Sequence, residues 1–151
     1  MDAFQLLKKD HKEVKALFKK LEKTTEQASK TREKGFELLE RELTMHTEIE
    51  EQIFYPRLRE EDKLRETVNE AYEEHHMAKI LLQEIAQTSP EDEAWAAKLS
   101  VLKEMVEHHI EEEEKELFPK AARELGKEES TALGRRIDAA KKEKLKGIKA
   151  A

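Results

Sequence analysis

The stretch His109-Ile110-Glu111-Glu112-Glu113-Glu114-Lys115-Glu116-Leu117-Phe118-Pro119 decides the fold, because it has a twin in His46-Thr47-Glu48-Ile49-Glu50-Glu51-Gln52-Ile53-Phe54-Tyr55-Pro56. In each copy a glutamate follows the histidine by four residues and a proline by ten. Residues four apart share a helix face, so each copy aims an imidazole and a carboxylate at one point. The copies lie 63 residues apart, and two further histidines, His11 and His75, lie 64 apart. Each half therefore reads as a helix bearing one histidine followed by a helix bearing His-x-x-x-Glu.

Hydrophobic spacing supplies the helices on which these residues sit. A first helix, about Ala3–Lys23, carries the stripe Phe4, Leu7, His11, Val14, Phe18, Leu21 in steps of three and four. Asp2 and Gln5 form its capping-box pattern, and Thr24–Thr31 reads as a loop. The second helix, about Arg32–Glu60, carries Phe36, Leu39, Leu43, His46, Glu50 and Ile53, and Pro56 should kink or end it. The third, about Lys63–Gln87 with Asp62 as cap, carries Val68, Ala71, His75, Ala78, Leu82 and Ile85; its small alanines leave room beside the His75 ring. Ser89 and Pro90 then open a fourth helix, about Pro90–Leu125, with Asp92 completing the box and Gly126 as its terminator. Its stripe is Trp95, Leu99, Leu102, Val106, His109, Glu113, Leu117. A last amphipathic helix, about Glu128–Lys146 with Leu133, Ile137 and Ala140, packs on the outside, and the end from Lys141 to Ala151 frays. The expected fold is all-α: an up-down-up-down four-helix bundle over residues 1–126, with 127–151 packed on the same domain.

The bulk properties narrow the function. The chain has 151 residues, suited to one domain, and 42% of them are charged. A net charge of −6, with no basic stripe, argues against nucleic acid as partner. The absence of cysteine excludes disulfides, thiolate sites and cysteine nucleophiles. No apolar run approaches a signal peptide or membrane span, so the expected setting is the cytoplasm, without a membrane partner.

Six polar residues interrupt four otherwise apolar stripes: His11, His46, Glu50, His75, His109 and Glu113. A buried unpaired carboxylate costs several kcal/mol, so the six need a common partner, and a metal serves all of them. Imidazole and carboxylate without thiolate suit iron, manganese or zinc. Glutamates from facing helices can each bridge two cations. Two six-coordinate ions offer about twelve positions. Four imidazoles, two bridging carboxylates and a bridging oxide or hydroxide leave about two open, as in sites that bind or transform small molecules. His76 and His108 lie about 100° around their helices from the stripe and read as outer neighbours or surface residues. Glu111, Glu112 and Glu114 read as a solvated face. Tyr55 and Tyr72 read as packing residues, with a redox or hydrogen-bonding role as the alternative.

At these residues the chain resembles the hemerythrin-like family, the HHE cation-binding domains, over roughly residues 3–125. The resemblance rests on His11, His46-x-x-x-Glu50, His75 and His109-x-x-x-Glu113, with the Phe-Tyr-Pro and Leu-Phe-Pro endings. It implies a four-helix bundle around a non-haem di-iron centre with carboxylate bridges, the two irons being oxo- or hydroxo-bridged. Two positions depart from the oxygen carriers of the family: Lys79 stands where they place a histidine, and Glu113, four residues after His109, where they place an aspartate at five. The four-His, two-Glu set is more similar to small free-standing bacterial hemerythrin-like proteins than to those carriers. The expected function is binding or sensing of dioxygen or nitric oxide. The alternatives are an enzyme breaking down peroxide or nitric oxide in stress defence, and iron handling or delivery.

Overall fold

The protein, described here over residues 1–150 of a computed structural model, folds as two helical hairpins packed into a bundle. Helices α1 (Ala3–Glu22) and α2 (Ser29–Ile49) form the first hairpin; α4 (Asp62–Ala86) and α5 (Glu93–Glu112) form the second. The hairpins meet through α1 against α5 and α2 against α4. Short α3 (Tyr55–Leu58) follows α2, and α6 (Phe118–Ala150) follows α5. No described helix is long and apolar enough to cross a membrane.

Local chemistry sets most of the helix ends where the sequence places them. The Asp2 carboxylate accepts from the Gln5 backbone N–H at 2.9 Å, and the Gln5 side chain accepts from the Asp2 N–H at 3.0 Å. Two caps differ from expectation. Helix α5 starts three residues later than Pro90, because Asp92 Oδ1 accepts from Ala94 N at 2.9 Å while Ser89 caps only the preceding turn. Asp62 is the first residue of α4, not its cap; it pairs with Arg65 at 3.0 Å and places negative charge at the positive helix end.

The larger departure is that neither His-x-x-x-Glu helix stays α-helical. A π-helical turn, π1 (Glu50–Phe54), follows α2, and a second, π2 (Glu113–Leu117), follows α5. The widened turns close through Tyr55 N–H to Glu50 O and Phe118 N–H to Glu113 O. Each begins at the motif glutamate and ends two residues before a proline. Proline lacks an N–H and clashes with the carbonyl four residues back. A π turn upstream absorbs that conflict and inserts one extra residue into the register.

The apolar core falls into two clusters. One gathers Phe4, Leu7, Met45, Ile49, Phe54, Tyr55, Val68, Phe118, Leu133 and Ile137; the other gathers Val14, Phe18, Phe36, Leu39, Leu43, Trp95, Leu102 and Val106. Between them in sequence register lies the layer of His11, His46, Glu50, His75, His109 and Glu113, all buried. Phe36, Trp95 and Arg32 close the far end, with the guanidinium 4.7 Å from the Trp95 ring centroid.

The chain turns after the fourth helix at Gly126, whose φ of 77° and ψ of 171° belong to a region populated almost only by glycine. The segment beyond it packs across α1 and α2 through Leu133 and Ile137, as expected of the last helix. Gly134 passes so close to the N-terminus that an added Cβ would lie 2.6 Å from the Met1 carbonyl oxygen. Instead of fraying from Lys141, the lysine-rich end continues as helix to Ala150, with Lys141 paired to Asp10 and Lys144 to Glu48 at 2.8 Å. Ala151 lies outside the described residues.

Candidate metal centre

All six residues singled out in the sequence converge on one level of the bundle. His11 Nε2 approaches Glu113 Oε1 to 3.2 Å, and His46 Nε2 approaches Glu50 Oε1 to 3.1 Å. Across the bundle, His75 Nε2 lies 3.2 Å from the same Glu50 oxygen, and His109 Nε2 lies 3.5 Å from Glu113 Oε1. Two sets of donors result. His11, His46, Glu50 and Glu113 surround one point; Glu50, His75 and His109 surround a second. Glu50, fully buried and common to both, is placed to bridge.

Despite these short separations, five buried atoms make no hydrogen bond: His11 Nε2, His46 Nε2, both Glu50 oxygens and Glu113 Oε1. All five belong to residues of the first donor set, which gathers around one point. Buried polar atoms are almost always satisfied, so five together in one layer define a place for a ligand. That ligand must satisfy imidazole nitrogens and carboxylate oxygens at once, which is what a cation does.

The outward ring nitrogens make the same case. Every one holds a carboxylate: His11 Nδ1 pairs with Glu114 at 2.7 Å, His46 with Asp10 at 2.9 Å, His75 with Glu51 at 3.0 Å and His109 with Glu74 at 2.8 Å. An Nδ1–H donated outward fixes the tautomer whose Nε2 lone pair faces inward, the arrangement found behind metal-ligating histidines. Without a cation, His46, His75 and His109 hold protons more tightly instead. Burial pulls the His46 imidazole down, but Glu50 and Asp10 outweigh it and push its pKa to about 10. His75 and His109 are likewise raised against burial, chiefly by Glu50 and Glu113 respectively. Against its own burial, Glu113 is held well below the usual carboxylate range by His109.

The four outer carboxylates were not singled out in the sequence, and Glu114 was assigned to a solvated face; the structure corrects that, since it holds the His11 ring. The repeat contains their signature. Glu51 and Glu114 each follow a motif glutamate by one residue, and Asp10 and Glu74 each precede a lone histidine by one. Glu50 and Glu113 open the π turns, whose extra residue lets consecutive glutamates both serve the layer.

Tyr55 is a second correction. It is buried, as a packing residue would be, but its hydroxyl donates to Glu113 Oε2 at 2.5 Å and lies 3.3 Å from both His75 Nε2 and His109 Nε2. The hydroxyl thus takes the Glu113 oxygen expected to bridge, and makes the layer asymmetric. Burial and the two glutamates hold the phenol above its usual pKa, so it keeps its proton. Tyr72 stays at the periphery, edge-on to Tyr55, with its hydroxyl 3.3 Å from the Glu51 carbonyl. His76 is exposed, and His108, 66% exposed, pairs with Glu112 at 3.0 Å outside the layer. Lys79 is exposed and adds no ligand.

Comparison with known proteins agrees with this geometry. The family model for the hemerythrin HHE cation-binding domain matches residues 2–121. A crystal structure of a hemerythrin HHE cation-binding domain-containing protein from Mycobacterium kansasii superposes with a TM-score of 0.83, at 26% identity, covering 95% of this chain and 86% of that one. A protein named DNA nickase from Nostoc sp. (strain PCC 7120) is 30% identical over 141 residues, 93% of this chain. The chain spans 39% of that relative's length.

Proposed function

The chain belongs to the hemerythrin HHE cation-binding family, and from that premise we propose that it is a non-haem di-iron protein that binds or senses a small oxidant, dioxygen or nitric oxide. In this reading His11, His46, Glu50 and Glu113 hold one ion, and Glu50, His75 and His109 hold the second. The five buried inward atoms without hydrogen bonds, backed by four carboxylate-held imidazoles, carry the proposal. A pair of irons at these positions would supply open coordination sites and electrons for a small ligand. The chain's own residues orient the donors, exclude bulk water behind Phe4, Phe54 and Phe118, and keep a proton at Tyr55 Oη.

That proton favours one second reading: turnover of peroxide or nitric oxide, with Tyr55 as proton donor beside His75 and His109. The test is metal content on the aerobically iron-loaded protein, then exposure to nitric oxide and hydrogen peroxide. Two irons per chain with an oxo-bridge absorption band, perturbed by nitric oxide, are expected; one metal per chain, or zinc alone, would sink the di-iron reading. Peroxide loss that falls in Tyr55→Phe would favour turnover over binding.

The cytoplasm remains the proposed setting. Nucleic acid stays outside the proposal despite the nickase relative. The net charge is −6, and the groove beside the centre sets Asp62, Glu66, Glu70, Glu73, Glu74 and Glu112 against one cation, Arg65, a balance that repels a phosphate backbone.

A further inference from the structure

One layer of the bundle is underfilled, and it is the layer resting on the histidines. Val14 follows His11 by three residues and Ala78 follows His75 by three; Leu43 precedes His46 by three and Val106 precedes His109 by three. These four line a cavity of about 270 Å³ whose floor is His46, His75 and His109. On the opposite side of the histidines, Phe4, Phe54, Tyr55 and Phe118 fill the core. Seven residues out from each histidine, a full layer of Phe18, Leu39, Leu82 and Leu102 is buried. The void is therefore local, and Ala78 is its cause: three branched side chains and one methyl group cannot close a four-helix layer. The cavity reaches solvent between α4 and α5, where the lining residues Met77 and His108 are exposed.

Its size and lining specify an occupant. A water in bulk occupies about 30 Å³, so a diatomic ligand would use a small part of this space. An apolar cavity of about 150 Å³ accommodates benzene, which scales to roughly ten non-hydrogen atoms here. Apart from the histidine floor and a few rim groups such as Thr47 and Glu73, the walls are aliphatic or methionine, offering nothing to ordered water. Methionine also adapts to varied apolar shapes.

We propose that this cavity binds a compact apolar organic molecule of about ten non-hydrogen atoms with one hydroperoxyl or hydroxyl head. The body lies against Val14, Leu43, Ala78 and Val106, with its head toward His46, His75 and His109. This rests on the second reading of the centre, peroxide turnover, and deepens it: the peroxide is an organic hydroperoxide, and the corresponding alcohol is the unreactive ligand of the same pocket.

The test uses the full chain as isolated, with metal per chain measured on every sample. 2-Phenyl-2-propanol, the alcohol matching cumene hydroperoxide, is titrated by calorimetry, and the methyl resonances of Met77, Met105 and Val106 are followed in the zinc-loaded protein. Saturable one-to-one binding is expected, with shifts confined to cavity methyls. Ala78→Phe should weaken binding at least tenfold with metal content unchanged. Ala78→Leu, which adds fewer atoms, serves if the first variant fails to fold. Absence of saturable binding by a metal-loaded protein overturns the proposal and spares the metal centre; so does undiminished binding in a folded, filled variant. Binding by a chain that takes up no metal sinks the di-iron reading instead.

Discussion

Replacing Asp10 by asparagine separates the metal centre from an ordinary buried hydrogen-bond network. Asp10 is buried and serves two donors: its Oδ2 accepts from His46 Nδ1 at 2.9 Å, and its Oδ1 accepts from Lys141 Nζ. Asparagine has one oxygen and one NH₂, so it cannot accept from both. If the oxygen stays with His46, the Lys141 ammonium faces a donor. If it stays with Lys141, the NH₂ group favours the other His46 tautomer, which puts an N–H on Nε2 and removes its inward lone pair. Loss of such an outer partner weakens metal binding ten- to a hundredfold, about 1.4–2.7 kcal/mol. Adding Lys141→Met removes the competitor and frees the oxygen for His46. Affinity in the double variant should therefore recover most of the loss, a non-additive cycle. Affinity is read by chelator competition and folding by circular dichroism. An Asp10→Asn protein within twofold of wild type, or a strictly additive cycle, would refute the link from Asp10 through His46 to the ion.

Three other outcomes follow from the same geometry. The metal-free protein should be most stable between about pH 4.5 and 6.5: the raised pKa of His46 contributes stability that is lost as pH climbs from 6.5 through about 10, and the lowered pKa of Glu113 contributes stability lost as pH falls below 4.5. Metal uptake displaces those protons, so affinity should instead rise with pH; a flat metal-free melting temperature from pH 6.5 to 9.5 would count against the protonated layer. Gly126→Ala should cost about 1–3 kcal/mol, read by urea denaturation, since alanine is strained at φ 77° and ψ 171°; an unchanged midpoint would show that the turn relaxes. Glu50→Gln should reduce binding at both positions, whereas His11→Ala should mainly affect the one shared with His46; equal stoichiometry in the two variants would contradict the assignment of Glu50 to both donor sets.

How much of this was legible in one chain depends on whether a residue's role is local. The capping box at Asp2 and Gln5 was legible, because it acts within one helical turn. So was the polar layer, because six histidine and glutamate positions on apolar stripes leave few alternatives. Tyr55 was not, because an aromatic near a proline is usually packing, and only the π turn and the approach of α4 and α5 put its hydroxyl at Glu113. The inward turn of Glu114 was hidden for a related reason: among consecutive glutamates, an ideal α-helical register can turn only one inward.

By itself the sequence determined the helices, their pairing into two related halves, and the six polar positions of the central layer, since periodicity and repeat spacing are properties of a chain in one dimension. Tertiary structure decided which nitrogen of each histidine faces inward, because that depends on carboxylates brought from other helices: Asp10 to His46, Glu51 to His75, Glu74 to His109 and Glu114 to His11. It also decided that Glu50 joins two donor sets while Tyr55 occupies one oxygen of Glu113, and that a cavity lined in part by Ala78 lies beside the layer. Volume and hydrogen-bond angle exist only between segments, and a single chain read in order carries neither.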